Sequence, residues 1–229
     1  MQEIRKQAQR KISPVLDVLI PQFKNAPTTR ARDEARENIV EAVLSVSEEY
    51  GSASATVAAD VFDAIMEEVG ADTQEALVTG WWDEAHEYQK ASERVRSAAT
   101  LMFEKGNDEA FQRAIENYVA KAVGFVAHKV ISDNVVRNHQ EHPGMRYARV
   151  PTGAETCDFC LMLASRGFVY HSIDSAGGGG NHYHHSCDCL AIPGFDTYYT
   201  GWSRRGSLST EIEGYDPDAL YERDLEKKQ

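Results

Sequence analysis

All four cysteines of this 229-residue chain fall between positions 157 and 189. They are arranged as Cys157-x2-Cys160 and, after 23 residues, His184-x2-Cys187-x-Cys189. A Cys-x-x-Cys turn aims two thiolates at one point, and a zinc ion collects four such soft or borderline ligands, commonly from two separate turns. The intervening segment is short and carries the run Gly177–Gly180. Such a segment is poorly supplied for an apolar core of its own, and the binding energy of a metal would replace what the core lacks. Cys157, Cys160, His184 and Cys187 are the favoured four ligands. Cys189 is an exchangeable fifth, on the same side as Cys187 wherever the chain is extended. His171, His182 and His185 are weaker candidates.

Three other readings of the cysteines stay open. A redox dithiol would need a thioredoxin-like βαβ context, which the pattern lacks. Two disulfides would need an oxidising compartment, and nothing in the chain indicates one. Inert buried thiols would not be expected to cluster with four histidines. If zinc is bound, a thiol-rich, all-protein shell is the closed structural kind rather than the open catalytic kind. The chain contains no His-Glu-x-x-His and no His-x-Glu coupled to Pro-Cys-x-x-Cys. A P-loop, a dinucleotide fingerprint and a Gly-x-Ser-x-Gly elbow are equally missing. The expectation is a protein that is not an enzyme.

Charge is as unevenly placed as cysteine. Residues 1–32 carry seven basic groups (Arg5, Lys6, Arg10, Lys11, Lys24, Arg30 and Arg32) against Glu3 and Asp17. Residues 33–93 carry sixteen acids against Arg36 and Lys90, within a formal total of −12. That total argues against a chain that coats nucleic acid along its whole surface. No apolar run approaches the roughly 20 residues that span a bilayer, and the first residues lack the apolar stretch of a secretory signal. No membrane partner is expected.

Helical periodicity dominates the first 140 residues. Ile12, Val15, Leu16, Leu19, Ile20 and Phe23 form one stripe, with Ser13-Pro14 fitting a helix start or reset. Pro21 and Pro27 are expected to punctuate the chain. A second helix from about Thr28 is expected to stop at Gly51. A third stripe runs from Val57 to Val69 and ends at Gly70. Two more helices are expected over roughly 82–105 and 108–137, separated by Gly106-Asn107. His86 and His128 lie within them and read as surface or core residues rather than ligands. From His142-Pro143-Gly144 the character changes: residues 146–150 read as a short strand, followed by turns and the cysteines. The fold class is therefore mainly α with a small α+β zinc-stapled C-terminal module. The organisation is a helical body over 1–142, a Cys/His metal-binding module with short strands over 143–195, and a polar tail over 196–229.

Three strings then carry a family resemblance. They are Arg149-Val150-Pro151-x-Gly153, the run from Cys157 through Cys160, Met162-Leu163-Ala164-Ser165-Arg166-Gly167 to Tyr170, and Tyr183-His184-His185-Ser186-Cys187-Asp188-Cys189. Together they resemble the shared module of phage Mu F-like minor head proteins, most closely the actinobacteriophage branch. The helical stretch Tyr50–Asp63 is similar to that branch as well, so the likeness covers roughly residues 35–195. His185 stands where many members carry Pro, and Asp188 where they carry Arg, while His184, Cys187 and Cys189 match. The resemblance implies a structural minor capsid protein acting in head morphogenesis near the portal. It also implies a virion location in the capsid interior after assembly in the bacterial cytoplasm. Its partners would be the portal protein, other head proteins and, in some settings, packaged DNA. The competing reading is a zinc-containing DNA-binding or metal-dependent nuclease-like protein, using the basic N-terminus or Arg146, Arg149 and Arg166 on phosphates.

Overall fold

The structure, a computed structural model, describes residues 1–68, 70–78, 80–138, 144–151, 158–172, 175–176 and 189–195. It is mainly helical with a small two-stranded sheet. The elements run α1 (Gln2–Lys24), α2 (Thr29–Glu68), α3 (Glu84–Phe103), α4 (Asp108–Asn138), β1 (Met145–Pro151), α5 (Asp158–Ala164) and β2 (Cys189–Phe195). The expected polar tail over 196–229 lies outside the described residues. The chain divides into two compact units. One comprises Met1–Val57 with Val78–Ala127, the other Ala58–Leu77 with His128–Gln229. No described helix is long and apolar enough to cross a membrane.

The N-terminal unit is built on the periodicity of its helices. α1 buries Ala8, Ile12, Leu16, Ile20 and Phe23 against Ile39, Val40 and Val43 of α2, Val95 and Met102 of α3, and Phe111, Ile115 and Val119 of α4, all in one core. Phe23 sits edge-on to Phe103, with ring centroids 5.2 Å apart, and tilted at 6.2 Å from Phe111. Burying a side chain such as Phe111 contributes about 2–3 kcal/mol. Side chains cap three of the helix starts. Thr28 Oγ1 accepts from Ala31 N–H, Asp83 Oδ1 from His86 N–H, and Asn107 Oδ1 from Ala110 N–H at 2.9 Å. At the end of α3 the Asn107 and Gly106 amides bond back to Leu101 and Met102, so Gly106-Asn107 is the break between α3 and α4.

Three expected breaks are absent. α1 begins at Gln2 and passes through Pro14 and Pro21, both exposed. A proline inside a helix strands a carbonyl one turn back. Because these prolines lie on the outer face, water serves those carbonyls and the helix continues. Gly51 does not stop α2 either. A Cβ there would lie 2.8 Å from the six-membered ring of Trp81, so the glycine is the notch that lets the indole lie against the helix backbone. Nearby, buried Ser54 donates to the carbonyl of Val123 at 2.8 Å, tying α2 to α4.

In the second unit, Phe62 and Met66 of α2 and Val130, Ile131 and Val135 of α4 are buried. The segment after α2, residues 71–78, is neither helix nor strand, so its peptide groups need partners from elsewhere. Side chains supply them. Asn134 accepts from Leu77 N–H at 2.8 Å and donates to Leu77 O at 2.9 Å; Asn138 accepts from Gln74 N–H at 3.0 Å. Asp63 accepts from Ala76 N–H at 2.9 Å, and the Arg137 guanidinium donates to the carbonyls of Gln74 and Glu75. Asn134 and Asn138 lie one turn apart on α4, at 1% and 0% exposure, and act as a clip for the segment.

Candidate metal centre

The sheet that borders the cysteine turns follows from local chemistry. β1 reads Met-Arg-Tyr-Ala-Arg-Val-Pro and pairs antiparallel with β2, with Met145 opposite Phe195, Tyr147 opposite Pro193 and Pro151 opposite Cys189. Tyr147 directs its own N–H and C=O away from β2, exchanging bonds of 2.8 and 3.2 Å with Tyr170. Tyr147 and Pro193 therefore form a pair without mutual hydrogen bonds, and a residue lacking an N–H fits there at no cost to the ladder. Beside it, a Cβ on Gly194 would fall 2.3 Å from the Phe168 ring, so only glycine lets that ring close over the strand.

α5 packs on β1, with Cys160 and Ala164 buried. The Ser165-Arg166-Gly167 string ends this helix: Ser165 and Gly167 amides bond to Leu161 and Ala164 carbonyls, and Ser165 Oγ donates to Met162 O at 2.8 Å. Tyr170 Oη donates to Leu163 O at 3.2 Å, anchoring the next segment to the same helix. Burial raises the Tyr170 phenol above its ordinary range, opposed by the nearby Arg166 and Arg149 charges.

Of the four favoured ligands and the exchangeable fifth, two fall on described backbone. Cys160 is 1% exposed in the first turn of α5. Cys189 opens β2, opposite the last residue of β1. Cys157, His184 and Cys187 lie outside the described residues, as do His182, His185 and Gly177–Gly180. His171 is described and exposed. Among the described residues no group of three His, Cys, Asp or Glu is placed to hold a metal ion. The donor set, four thiols and an imidazole, has the chemistry of a staple: in sequence the first cysteine pair follows β1 at Pro151, and the second cluster runs into β2 at Cys189.

The basic residues need one correction. Arg149, read as a phosphate contact, is 3% exposed in β1 and is withdrawn from any surface role. Arg166 is exposed, and Arg146 donates to the Met145 carbonyl at 2.9 Å. Several N-terminal charges are also engaged within the chain. Lys24 meets Asp108 at 2.6 Å, Arg30 meets Glu34 at 2.9 Å, Arg10 meets Glu3 at 3.4 Å, and Arg32 lies over the Phe103 ring. The Arg5 stem covers Gly124 of α4.

Sequence reasoning missed the Asn134–Asn138 clip. Its one available signal was a pair of asparagines one turn apart beside an otherwise apolar stripe of α4.

A family model described as VG15 protein matches residues 1–224. The chain is also similar to the Gene 15 protein of Mycobacterium phage D29, at 38% identity in a match that covers 22% of this chain and 28% of that protein. The match thus takes in less than a third of that relative's length. No solved structure matches the chain.

Proposed function

The chain belongs to the VG15 protein family, a family of phage proteins, and from that premise we propose that it is a structural minor capsid protein acting in head morphogenesis. The observation that carries this reading is the coincidence of a phage family match over residues 1–224 with the Mu F-like strings at 149–170 and 183–189. The helical body would dock on the portal or another head protein. The C-terminal module would be stapled by a structural zinc held by Cys157, Cys160, His184 and Cys187, with Cys189 exchangeable. Zinc supplies only folding energy in this role. What the chain itself supplies is a platform: a short sheet, a one-turn-plus helix carrying buried Cys160, and the Tyr170 anchor.

One experiment addresses both parts. Purified chain is captured on immobilised portal protein, and the same sample is analysed for metal. Retention on the portal and about one zinc per chain are the expected results; chelation should then unfold residues 145–195 while most helical signal persists. Metal-free protein whose 145–195 segment stays folded would remove the zinc. Failure to bind portal or any other head protein, together with absence from purified virions, would remove the capsid role.

The DNA-contacting reading retains one observation in its favour, the exposure of Lys6, Arg10, Lys11 and Lys24 along α1. Binding of duplex DNA that falls steeply with added salt would support it, and no binding at low salt would end it.

A further inference from the structure

In the second unit, the segment after α2 is held as a bound peptide would be. Six hydrogen bonds reach it from Asp63 of α2 and from Asn134, Arg137 and Asn138 of α4, and each ends on a main-chain atom. The atoms gripped are the N–H groups of Gln74, Ala76 and Leu77 and the carbonyls of Gln74, Glu75 and Leu77. Asn134 takes both the N–H and the C=O of Leu77, as a neighbouring β-strand would, which requires extended backbone at that residue. Its other N–H goes to Val130 O, so the carboxamide is saturated only while the strap is seated. The strap's own side chains add little hold. Gln74, Glu75, Leu77 and Val78 are exposed, the last two at 49% and 41%. A segment held mainly by polar bonds, with its larger apolar side chains in water, opens at a free energy below that of global unfolding. Gly70 and Gly80 flank it with φ of 65° and 74°, and a Cβ at either would meet nothing within 4 Å, so both pivots are unpacked. Arg137 Nε is buried and has no acceptor among the described residues, so the strap leaves one donor of the groove unused.

We propose that the groove lined by Asp63, Asn134, Arg137 and Asn138 is a binding site for an extended peptide segment of another protein chain, and that residues 71–78 fill it in cis as a displaceable occupant. Because the grip is on the main chain, the site takes an extended segment with free N–H groups at the places of Gln74, Ala76 and Leu77, and it refuses proline there. The covalently attached strap competes at an effective concentration on the order of millimolar, so weak ligands enter only when it lifts. The inference depends neither on the capsid reading nor on zinc.

Fluorescence anisotropy with a labelled peptide of residues 71–78 tests it on the full chain. Ala76→Pro together with Leu77→Pro removes two of the N–H groups that the groove grips and should eject the strap. That variant should bind the peptide at least about tenfold more tightly than wild type, because the cis competitor is gone. Adding Asn134→Ala to it should abolish binding. Hydrogen exchange on the wild-type chain is the second measurement and holds even where the proline variant fails to fold. There the Ala76 and Leu77 amides should exchange through an opening that leaves the core amides of α4 protected. A combined Gln74→Ala, Glu75→Ala and Leu77→Ala variant should keep the wild-type protection of the strap, since no gripped atom is changed. Strap exchange that occurs only on global unfolding overturns the proposal. So does loss of protection in the alanine variant, or equal peptide affinity of wild type and the proline variant. No binding up to about 1 mM peptide by a proline variant with intact helical circular dichroism overturns it as well.

Discussion

Replacing Asn134 by alanine should release the segment 71–78 from α4. The Asn134 side chain is 1% exposed and makes three bonds: it accepts from Leu77 N–H at 2.8 Å, donates to Leu77 O at 2.9 Å and donates to Val130 O at 2.9 Å. The third costs little to lose, because Val130 O lies within the helix and keeps its intrahelical partner. The first two are the intersegment bonds, each worth about 1 kcal/mol net, and a peptide group left short of a partner adds about 1–3 kcal/mol. Leu77 is 49% exposed, so water can reach part of what is uncovered, and the expected loss is about 2–3 kcal/mol. Asn134→Asp should be worse at neutral pH, since a carboxylate can accept from Leu77 N–H but cannot donate to Leu77 O. Burial raises the folded-state pKa of such a carboxyl above its unfolded value. The protonated form is then favoured in the native state, so part of the loss should be recovered as pH falls toward that pKa. Urea unfolding gives the energies, and hydrogen exchange at the Leu77 amide reports the site. Wild-type protection of that amide in Asn134→Ala, or a loss below about 0.5 kcal/mol, would refute the clip as the element that holds the segment.

Gly51→Ala should destabilise the protein by about 1–2 kcal/mol despite the better helix propensity, because the new methyl meets Trp81; in a Trp81→Ala background the same change should be neutral or stabilising, as a double-mutant cycle in urea would read. Gly194→Ala, with its Cβ placed in the Phe168 ring, should cost about 2–3 kcal/mol and expose the 145–195 segment to limited proteolysis; Phe168→Ala should relieve part of that cost, and equal proteolysis of Gly194→Ala and wild type would contradict the packing. Burial pushes the Tyr118 phenol up to about 12, with Glu87 adding to the rise and Arg94 opposing it. Its folded-state pKa thus exceeds the ordinary 10, so the stability it confers is complete below pH 10 and declines as pH rises from 10 toward 12; phenolate absorbance in Tyr118→Phe should lack the last-titrating step seen in wild type.

Much of the helical body was legible because its signals are local. Periodicity and the Gly106-Asn107 break placed α3 and α4 within about two residues of their observed ends. Gly51 misled for a physical reason: a glycine after an apolar stripe has the signature of a helix terminus, whereas its actual role is set by Trp81, thirty positions later in the chain. Pro14 and Pro21 misled in the same way, since only the orientation of α1 tells whether water can serve the carbonyls they strand. The Asn134–Asn138 clip was illegible because an asparagine on a helix reads as solvent-facing until the segment it holds is known. For the metal centre, spacing nominated five donors, and the structure describes the setting of Cys160 and the backbone of Cys189.

The N-terminal unit and the segment from Met145 onward differ in what their described residues bury, and that bears on why a metal would be placed where the cysteines are. The N-terminal unit buries Ile12, Leu16, Ile39, Phe111 and Ile115 completely, drawn from α1, α2 and α4. The segment from Met145 onward buries few large apolar side chains among its described residues: Met145, Tyr147, Phe168 and Tyr170, accompanied by Ala148, Ala164, Ala176 and Ala191. Against whatever this core contributes stands the conformational entropy of ordering the chain. A zinc held by the proposed ligands would remove part of that entropy from the chain that precedes α5 and β2. On this argument the proposed zinc should matter to the module and hardly at all to α1–α4, which is why chelation that melted the whole chain in one transition would count against it as firmly as a module that ignored the metal.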